Sequence, residues 1–97
     1  MKVVNKVTEF DWDTGNQNKN NKHQVDNYES EEAFFDNQKV IFKDVLHSQK
    51  EKRFILHGKT KKDRLLYIVF TIRKQKIRII SARDVNRKEV HLYEKNA

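Results

Sequence analysis

The amino-acid sequence predicts a small α+β domain with an antiparallel-rich β-sheet, helices packed on one face of that sheet and a helix at the carboxyl end. Two observations support this fold class: four β-like segments follow one another in the second part of the chain, and helix start signals occur before and after them. The β-like segments are 39–43, 53–59, 64–73 and 76–83. A chain of 97 residues has room for one core, so we expect a single domain over residues 1–97.

The predicted helices are recognised by their first residues. Asn27 can cap a helix over 27–36, which carries acids in its first turn. Asn86, followed three residues later by Glu89, is a capping-box pattern for a final helix over 87–95. Before the first helix, weak alternation over 2–10 favours an edge strand, and the amide-rich stretch 13–23 is typical of a loop.

The last two β-like segments form a hairpin if the chain turns tightly at 74–75, which pairs Thr71 with Arg78. One face of this hairpin is then apolar throughout and must be covered by helices. Its residues are Leu66, Ile68, Phe70, Ile72, Ile77 and Ile79. The opposite face is mixed, and its cations gather near the turn.

One register of the preceding strand places Arg53 opposite Thr71 and in line with Arg78, with His57 beside Tyr67. A shift by two residues keeps the same faces but removes this row. Arg83 has the opposite parity to Arg78, so it reaches the same face only if the strand ends or twists first.

Charge is unevenly distributed along the chain. Residues 1–48 carry 6 Lys against 9 Asp or Glu, whereas residues 49–97 carry 15 Lys or Arg against 5 acids and contain every arginine. The arginine fork matches phosphate geometry, so this segregation favours an anionic partner, either nucleic acid or an acidic protein.

Several classes of protein and site are excluded. There is no cysteine for a disulfide or thiolate metal site, the four histidines have no paired ligand spacing, and no Gly-rich phosphate loop is present. The first residues are too polar for a signal peptide, and the longest apolar run, 65–70, is far shorter than a membrane span. We therefore expect a soluble cytoplasmic protein without a metal, a cofactor or a membrane partner.

Cleavage of RNA without a metal ion is the chemistry that remains. RNA supplies its own 2′-hydroxyl, so the protein must remove that proton, neutralise the transition state and protonate the leaving oxygen. The candidate charge stabilisers are Arg53, Arg78 and Arg83, the candidate proton-transfer groups are Lys22, His23 and Tyr93, and the further expected RNA contacts are Thr71, Arg73, Lys76 and Arg87.

Structural roles compete with two of these assignments and with a further candidate, Trp12. Arg83 can form an ion pair with Glu89 or Asp84, and Tyr93 can pack in the core beside Val90. Trp12 and Tyr67 can stack on bases, but a tryptophan that seals a small core is the more common arrangement.

Many residues along the chain match the pattern of a known family. They are Phe10–Asp13, Asn20, Lys22–His23, Val25, Glu32–Ala33, Phe35–Asp36, His47–Ser48, Glu51, Arg53, Gly58, Arg64–Leu66, Val69, Thr71, Ile77–Arg83, Arg87, Glu89 and Tyr93. In this pattern the chain resembles the BrnT toxins, which are the RNA-cleaving components of type II toxin–antitoxin modules.

The resemblance implies a RelE-like fold and a metal-free endoribonuclease that acts without the ribosome. It also implies neutralisation by a BrnA-type antitoxin in a heterotetramer that reaches DNA only through the antitoxin. Two departures concern Lys22 and His23: Gln24 replaces the usual glycine, which we expect to alter a special turn, and the spacing from Trp12 to Lys22 is one residue shorter.

Two other functions stay open beside the toxin ribonuclease. One is a non-catalytic module of the same fold that binds RNA or an acidic partner, and the other is a catalytically degenerate toxin kept for regulation. Binding and cleavage of phosphates use the same cations, so these sequence patterns do not separate them.

Overall fold

The computed structural model of the chain describes residues 9–16, 24–47 and 50–96. Its elements are α1 (Asn27–Phe34), β1 (Val40–Lys43), a 3-10 helix (Val45–His47), β2 (Phe54–Lys59), β3 (Leu65–Arg73), β4 (Lys76–Asp84) and α2 (Arg87–Asn96). Lys22, His23 and most of the predicted edge strand 2–10 lie outside the described residues.

The four strands form one antiparallel sheet in the order β1-β2-β3-β4, which with the carboxyl-terminal helix confirms the α+β fold class. β3 and β4 are joined by a two-residue turn in which Lys74 and Gln75 both have positive φ (50° and 67°). This is the backbone conformation of a type I′ hairpin turn, although neither residue is the usual Asn or Gly.

The helix ends follow the capping rules. Asn86 and Glu89 form the predicted capping box, with two reciprocal hydrogen bonds of 2.9 Å. The cap of α1 is Asp26 rather than the predicted Asn27, and the Glu29 carboxylate accepts a hydrogen bond from the Asp26 backbone N–H at 3.1 Å. α1 also ends at Phe34, two residues before the predicted end.

α1 covers the apolar face of the sheet, which we call the core face. Leu66, Ile68 and Phe70 of β3 are completely buried there, and the ring of Phe34 meets that of Phe70 edge to face, with centroids 4.9 Å apart. The predicted apolar face of the hairpin is therefore confirmed as the main core.

A β-bulge changes the parity of β4. Phe70 pairs with Ile79, but Val69 pairs with Ser81, so Ile80 is an extra residue on β4. Arg83 consequently pairs with Tyr67 and points to the same face as Arg78. We call this the second face.

The register of β2 is the one that places Arg53 in the predicted row. Phe54 pairs with Phe70 and His57 with Tyr67, so the residue before β2 lies next to Thr71. The Thr71 hydroxyl donates to the Lys52 carbonyl at 2.7 Å, which fixes the chain at this point.

Two further segments pack against the sheet, one along its edge and one on its second face. Residues 9–16 run along the edge of β4, where Phe10 forms a parallel bridge with Ile77 and the side-chain amide of Asn16 donates to the Ile79 carbonyl at 3.0 Å. α2 contacts the second face rather than the core face, since its Glu89 binds Arg83 and its Tyr93 lies under Lys59. Within residues 9–16, 24–47 and 50–96, no helix has the length and apolar character needed to cross a membrane.

Candidate functional site

The second face carries two groups of side chains that are candidates for function. The turn cluster lies near the β3–β4 turn and consists of Arg53, Thr71, Arg73, Lys76 and Arg78. The Arg83 cluster lies beside α2 and consists of His57, Tyr67, Arg83 and Glu89. Arg78 and Arg83 are five positions apart on β4, roughly 16 Å at strand spacing, so they cannot hold the same phosphate group.

Arg78 is held by carboxylates of the segment before α1. Its two terminal nitrogens each donate to one oxygen of Asp13 at 2.9 Å, and Asp11 lies 3.5 Å away. These contacts leave only 12% of the Arg78 side chain exposed. The hydrogen bond from Arg78 lowers the pKa of Asp13, so this carboxylate is ionised at neutral pH.

Gly15 lies in the turn of this segment, next to the ion pair. Its backbone N–H donates to Asp13 at 2.7 Å, and a Cβ atom added at this position would lie 2.8 Å from a terminal nitrogen of Arg78. That nitrogen is the end of a flexible side chain, so a larger residue here would displace the guanidinium slightly rather than the backbone.

Glu51 is the carboxylate partner of Arg73. Arg73 donates to it at 2.6 and 3.0 Å. This hydrogen bonding lowers the pKa of Glu51, and the charges of Arg53 and Arg78 act in the same direction. Three arginines therefore lie close enough to influence one anionic group, which is the electrostatic setting that a phosphate requires.

Three further members of the predicted RNA-binding set differ in their surroundings. Lys76 is exposed and lies 3.3 Å from Glu9. Thr71 is buried, and its hydroxyl donates a hydrogen bond to the Lys52 carbonyl. Thr71 therefore stabilises the backbone that carries the cluster. Arg87 is exposed at the first turn of α2, away from the turn cluster.

The Arg83 cluster is a packed ion pair. Arg83 binds both oxygens of Glu89 at 2.9 and 2.8 Å, and its guanidinium lies 3.9 Å from the centre of the Tyr67 ring. The predicted alternative, an ion pair with Glu89, is therefore present. The bulge brings Arg83 to the second face, but Glu89 and Tyr67 then hold it there.

His57 is a residue that the sequence did not single out for function. It is buried between the rings of Phe42 and Tyr67, and among the described residues neither ring nitrogen has a hydrogen-bond partner. Burial lowers the pKa of His57, so the ring is neutral at pH 7. Its orphaned polar atoms mark a functional candidate, and the signal in the sequence was a histidine in a strand of apolar residues.

Tyr93 lies at the opposite end of the sheet from the turn cluster. Its hydroxyl donates to Asp36 at 2.6 Å, the residue is buried, and Lys59 stands over its ring. Burial and the hydrogen bond to Asp36 raise the pKa of Tyr93. The structure thus does not bring Tyr93 to the row of Arg53 and Arg78, and its contacts match the packing role that competed with catalysis.

Gln24 has a backbone conformation that usually favours glycine. Its φ is 57°, in the left-handed region that glycine enters freely, and its carbonyl accepts from Arg64 at 2.7 Å. The expected alteration of the turn stays a prediction. Lys22 and His23, just before it, lie outside the described residues.

In the part of the chain that the structure describes, no group of three or more His, Asp or Glu residues is arranged to hold a metal ion.

These features define a small α+β protein with several arginines on one face of its sheet. Residues 12–89 match the family described as "Ribonuclease toxin, BrnT, of type II toxin-antitoxin system". This match covers most of the chain, so the chain belongs to the BrnT family of ribonuclease toxins, as the sequence resemblance implied. A comparison with curated proteins finds no match.

Proposed function

We propose that this chain is a metal-independent endoribonuclease toxin that cleaves RNA through the RNA's own 2′-hydroxyl. The family membership supports a ribonuclease toxin. The observation that carries the finer proposal is the row of Arg53, Thr71 and Arg78 across three neighbouring strands, with Arg73 bound to Glu51 at the same end of the sheet. A carboxylate oxygen is a reasonable substitute for a phosphate oxygen, so Glu51 and Asp13 mark positions where phosphate oxygens can be bound.

In this mechanism the arginines stabilise charge. As the 2′-oxygen attacks the phosphorus, negative charge grows on the non-bridging oxygens, and fixed guanidinium groups stabilise that charge more than the ground state. RNA must compete with Asp13 for Arg78, because that carboxylate occupies both terminal nitrogens in the free chain. Lys22 and His23 are the proposed proton-transfer groups.

The proposed assembly follows from the family. A type II toxin implies an antitoxin partner. We propose that this partner is a BrnA-type protein, that the complex is a heterotetramer, and that contact with DNA is made only through the antitoxin. A RelE-like fold and a cytoplasmic location complete the proposal.

A second candidate function is a binding module that holds RNA without cleaving it. The observation that favours it is the position of Tyr93, the one proton-transfer candidate among the described residues, which is buried and donates its hydroxyl to Asp36 away from the turn cluster. This alternative requires that Lys22 and His23 take no part in proton transfer.

Induced expression separates the two functions. The wild type should arrest growth and produce new RNA 5′ ends, and an Arg78→Ala, Arg83→Ala double variant should do neither. Lys62→Ala serves as the matched control, because Lys62 is an exposed cation in the β2–β3 turn. Equal toxicity from a folded double variant would refute the assignment, and RNA binding without new ends would establish the binding module.

A further inference from the structure

A recess of about 730 Å³ lies between α1, the β2–β3 turn and α2. We call it the acidic groove and define it by Tyr28, Glu32, Phe35, Asp36, Asp63 and Tyr93. Its volume is within the range of roughly 300–1,000 Å³ that recessed binding sites use. It is separate from the turn cluster, since Tyr93 and Lys59 belong to the end of the sheet where β2 ends.

One wall of the acidic groove exposes two aromatic rings. Tyr28 is 56% exposed and Phe35 is 64% exposed. They are seven residues apart, so the first turn and the end of α1 present them on the same side of the helix. Large aromatic residues that stay exposed next to a recess are typical anchors of protein interfaces.

The charge of the acidic groove is opposite to that of the whole chain. Four carboxylates line it, from Glu31, Glu32, Asp36 and Asp63, against two lysines, Lys59 and Lys61, although the chain has a net charge of +7. A negative recess repels RNA and attracts a cationic side chain.

The Asp36 carboxylate of the groove keeps its charge. Burial opposes the ionisation of Asp36, but hydrogen bonds from the Tyr93 hydroxyl and from the backbone of Lys59 and Gln38 lower its pKa. The Glu32 carboxylate likewise accepts from a backbone N–H, that of Lys61, at 3.2 Å. These donors are neutral, so they orient the negative charge without cancelling it.

We infer that the acidic groove is a docking site for a segment of the antitoxin that presents a lysine or arginine beside an apolar side chain. This inference rests on the proposed antitoxin partner. The cation would lie between the carboxylates and the aromatic faces, where charge attraction and cation–π contact reinforce one another, and the apolar neighbour would pack on Tyr28 and Phe35. The groove therefore adds an attachment point for the antitoxin away from the proposed RNA-binding cluster.

The test is a calorimetric titration of the purified full chain with the full-length BrnA-type antitoxin proposed as its partner. A Tyr28→Ser, Phe35→Ser double variant should bind at least roughly tenfold more weakly, because it lacks both apolar anchors. An Asp63→Asn variant should show weaker binding and a smaller loss of affinity with added salt. Asparagine tolerates the positive φ of 62° at this position.

The matched control is a Val45→Ser, Leu46→Ser double variant, which removes two apolar residues that are 78% and 82% exposed but lie outside the groove. It should bind the antitoxin as the wild type does. Circular dichroism checks that each variant is folded, and RNA cleavage by the free groove variant should equal that of the wild type.

Three results would overturn the inference: wild-type affinity in the groove variant, an equal loss in the control, or no binding of the antitoxin by the wild type. A wild-type dimer that the groove variant abolishes would also overturn it, because the occupant would then be a second copy of the chain. The affinity comparison does not depend on catalysis, so a failure of RNA cleavage alone would refute the ribonuclease proposal and leave this inference standing.

Discussion

Replacing Gly58 with alanine tests how closely α1 is packed on the sheet. A Cβ atom at this position would lie 2.5 Å from the Ala33 carbonyl oxygen and 2.9 Å from a methyl group of Leu56. The Ala33 oxygen is backbone at the end of α1, so the clash is relieved only if the helix moves away from the core. Such overpacking costs about 1–3 kcal/mol, which lowers the melting temperature of a domain of this size by roughly 5–20 °C.

Thermal unfolding followed by circular dichroism measures this loss, with urea unfolding as a second measurement. Gly15→Ala is the matched control, because its added Cβ would contact only the ends of the flexible Arg78 and Asp13 side chains, at 2.8 and 3.0 Å. We expect the control to lose less than about 1 kcal/mol. The reasoning would be refuted if Gly58→Ala unfolded within about 2 °C of the wild type.

Three further predictions concern buried, paired and strained residues. Because burial lowers the pKa of His57, the unfolded chain takes up its proton near pH 6.5 and the folded chain only at lower pH, so stability should fall as the pH drops below 6.5. His57→Leu should lose less stability between pH 8 and pH 5 than the wild type does, as measured by urea unfolding. If the variant and the wild type have the same urea midpoints at both pH values, the assignment is contradicted. Asp13→Asn should tighten RNA binding roughly threefold or more at low salt by freeing Arg78, as measured by fluorescence anisotropy, whereas weaker binding would show that Asp13 positions Arg78. Gln24→Gly should raise the free energy of unfolding by up to about 1 kcal/mol, because glycine adopts a φ of 57° without strain, and a loss of stability on urea titration would argue against it.

The hairpin of β3 and β4 was predictable because two independent patterns agree. Apolar residues alternate on both strands, and the turn at 74–75 is the one that places both sets on the same face. The same parity argument predicted which face of β2 each residue occupies. It left two registers of β2 open, and the structure was needed to choose between them.

The bulge at Ile80 was not predicted, although a signal was present. Regular alternation would place Arg83 on the core face beside fully buried residues such as Ile68, and leave Ala82 on the second face. The extra residue exchanges them, so that Ala82 is buried opposite Ile68 and Arg83 reaches Glu89. A charged residue at a core position next to a small apolar one is thus an indication of a bulge.

The carboxylate partners of the arginines were beyond reach of sequence patterns. Asp13 is 65 residues from Arg78 along the chain, and Glu51 is 22 residues from Arg73. Their meeting depends on the path of residues 9–16 along the edge of β4 and on the chain between β1 and β2. The position of Tyr93 was likewise not predictable from local sequence, because α2 places it beside Asp36 and not beside the arginines.

The central claim is that the arginines of the second face promote RNA cleavage through the 2′-hydroxyl without a metal ion. The most direct measurement is cleavage of a defined RNA by the purified chain in excess EDTA, with the product ends mapped. We predict cleavage by the wild type, loss of cleavage at a site where the upstream nucleotide is 2′-deoxy, and a rate at least roughly a hundredfold lower for Arg78→Ala. Cleavage that needs an added divalent ion, or that persists at the 2′-deoxy site, would contradict the claim.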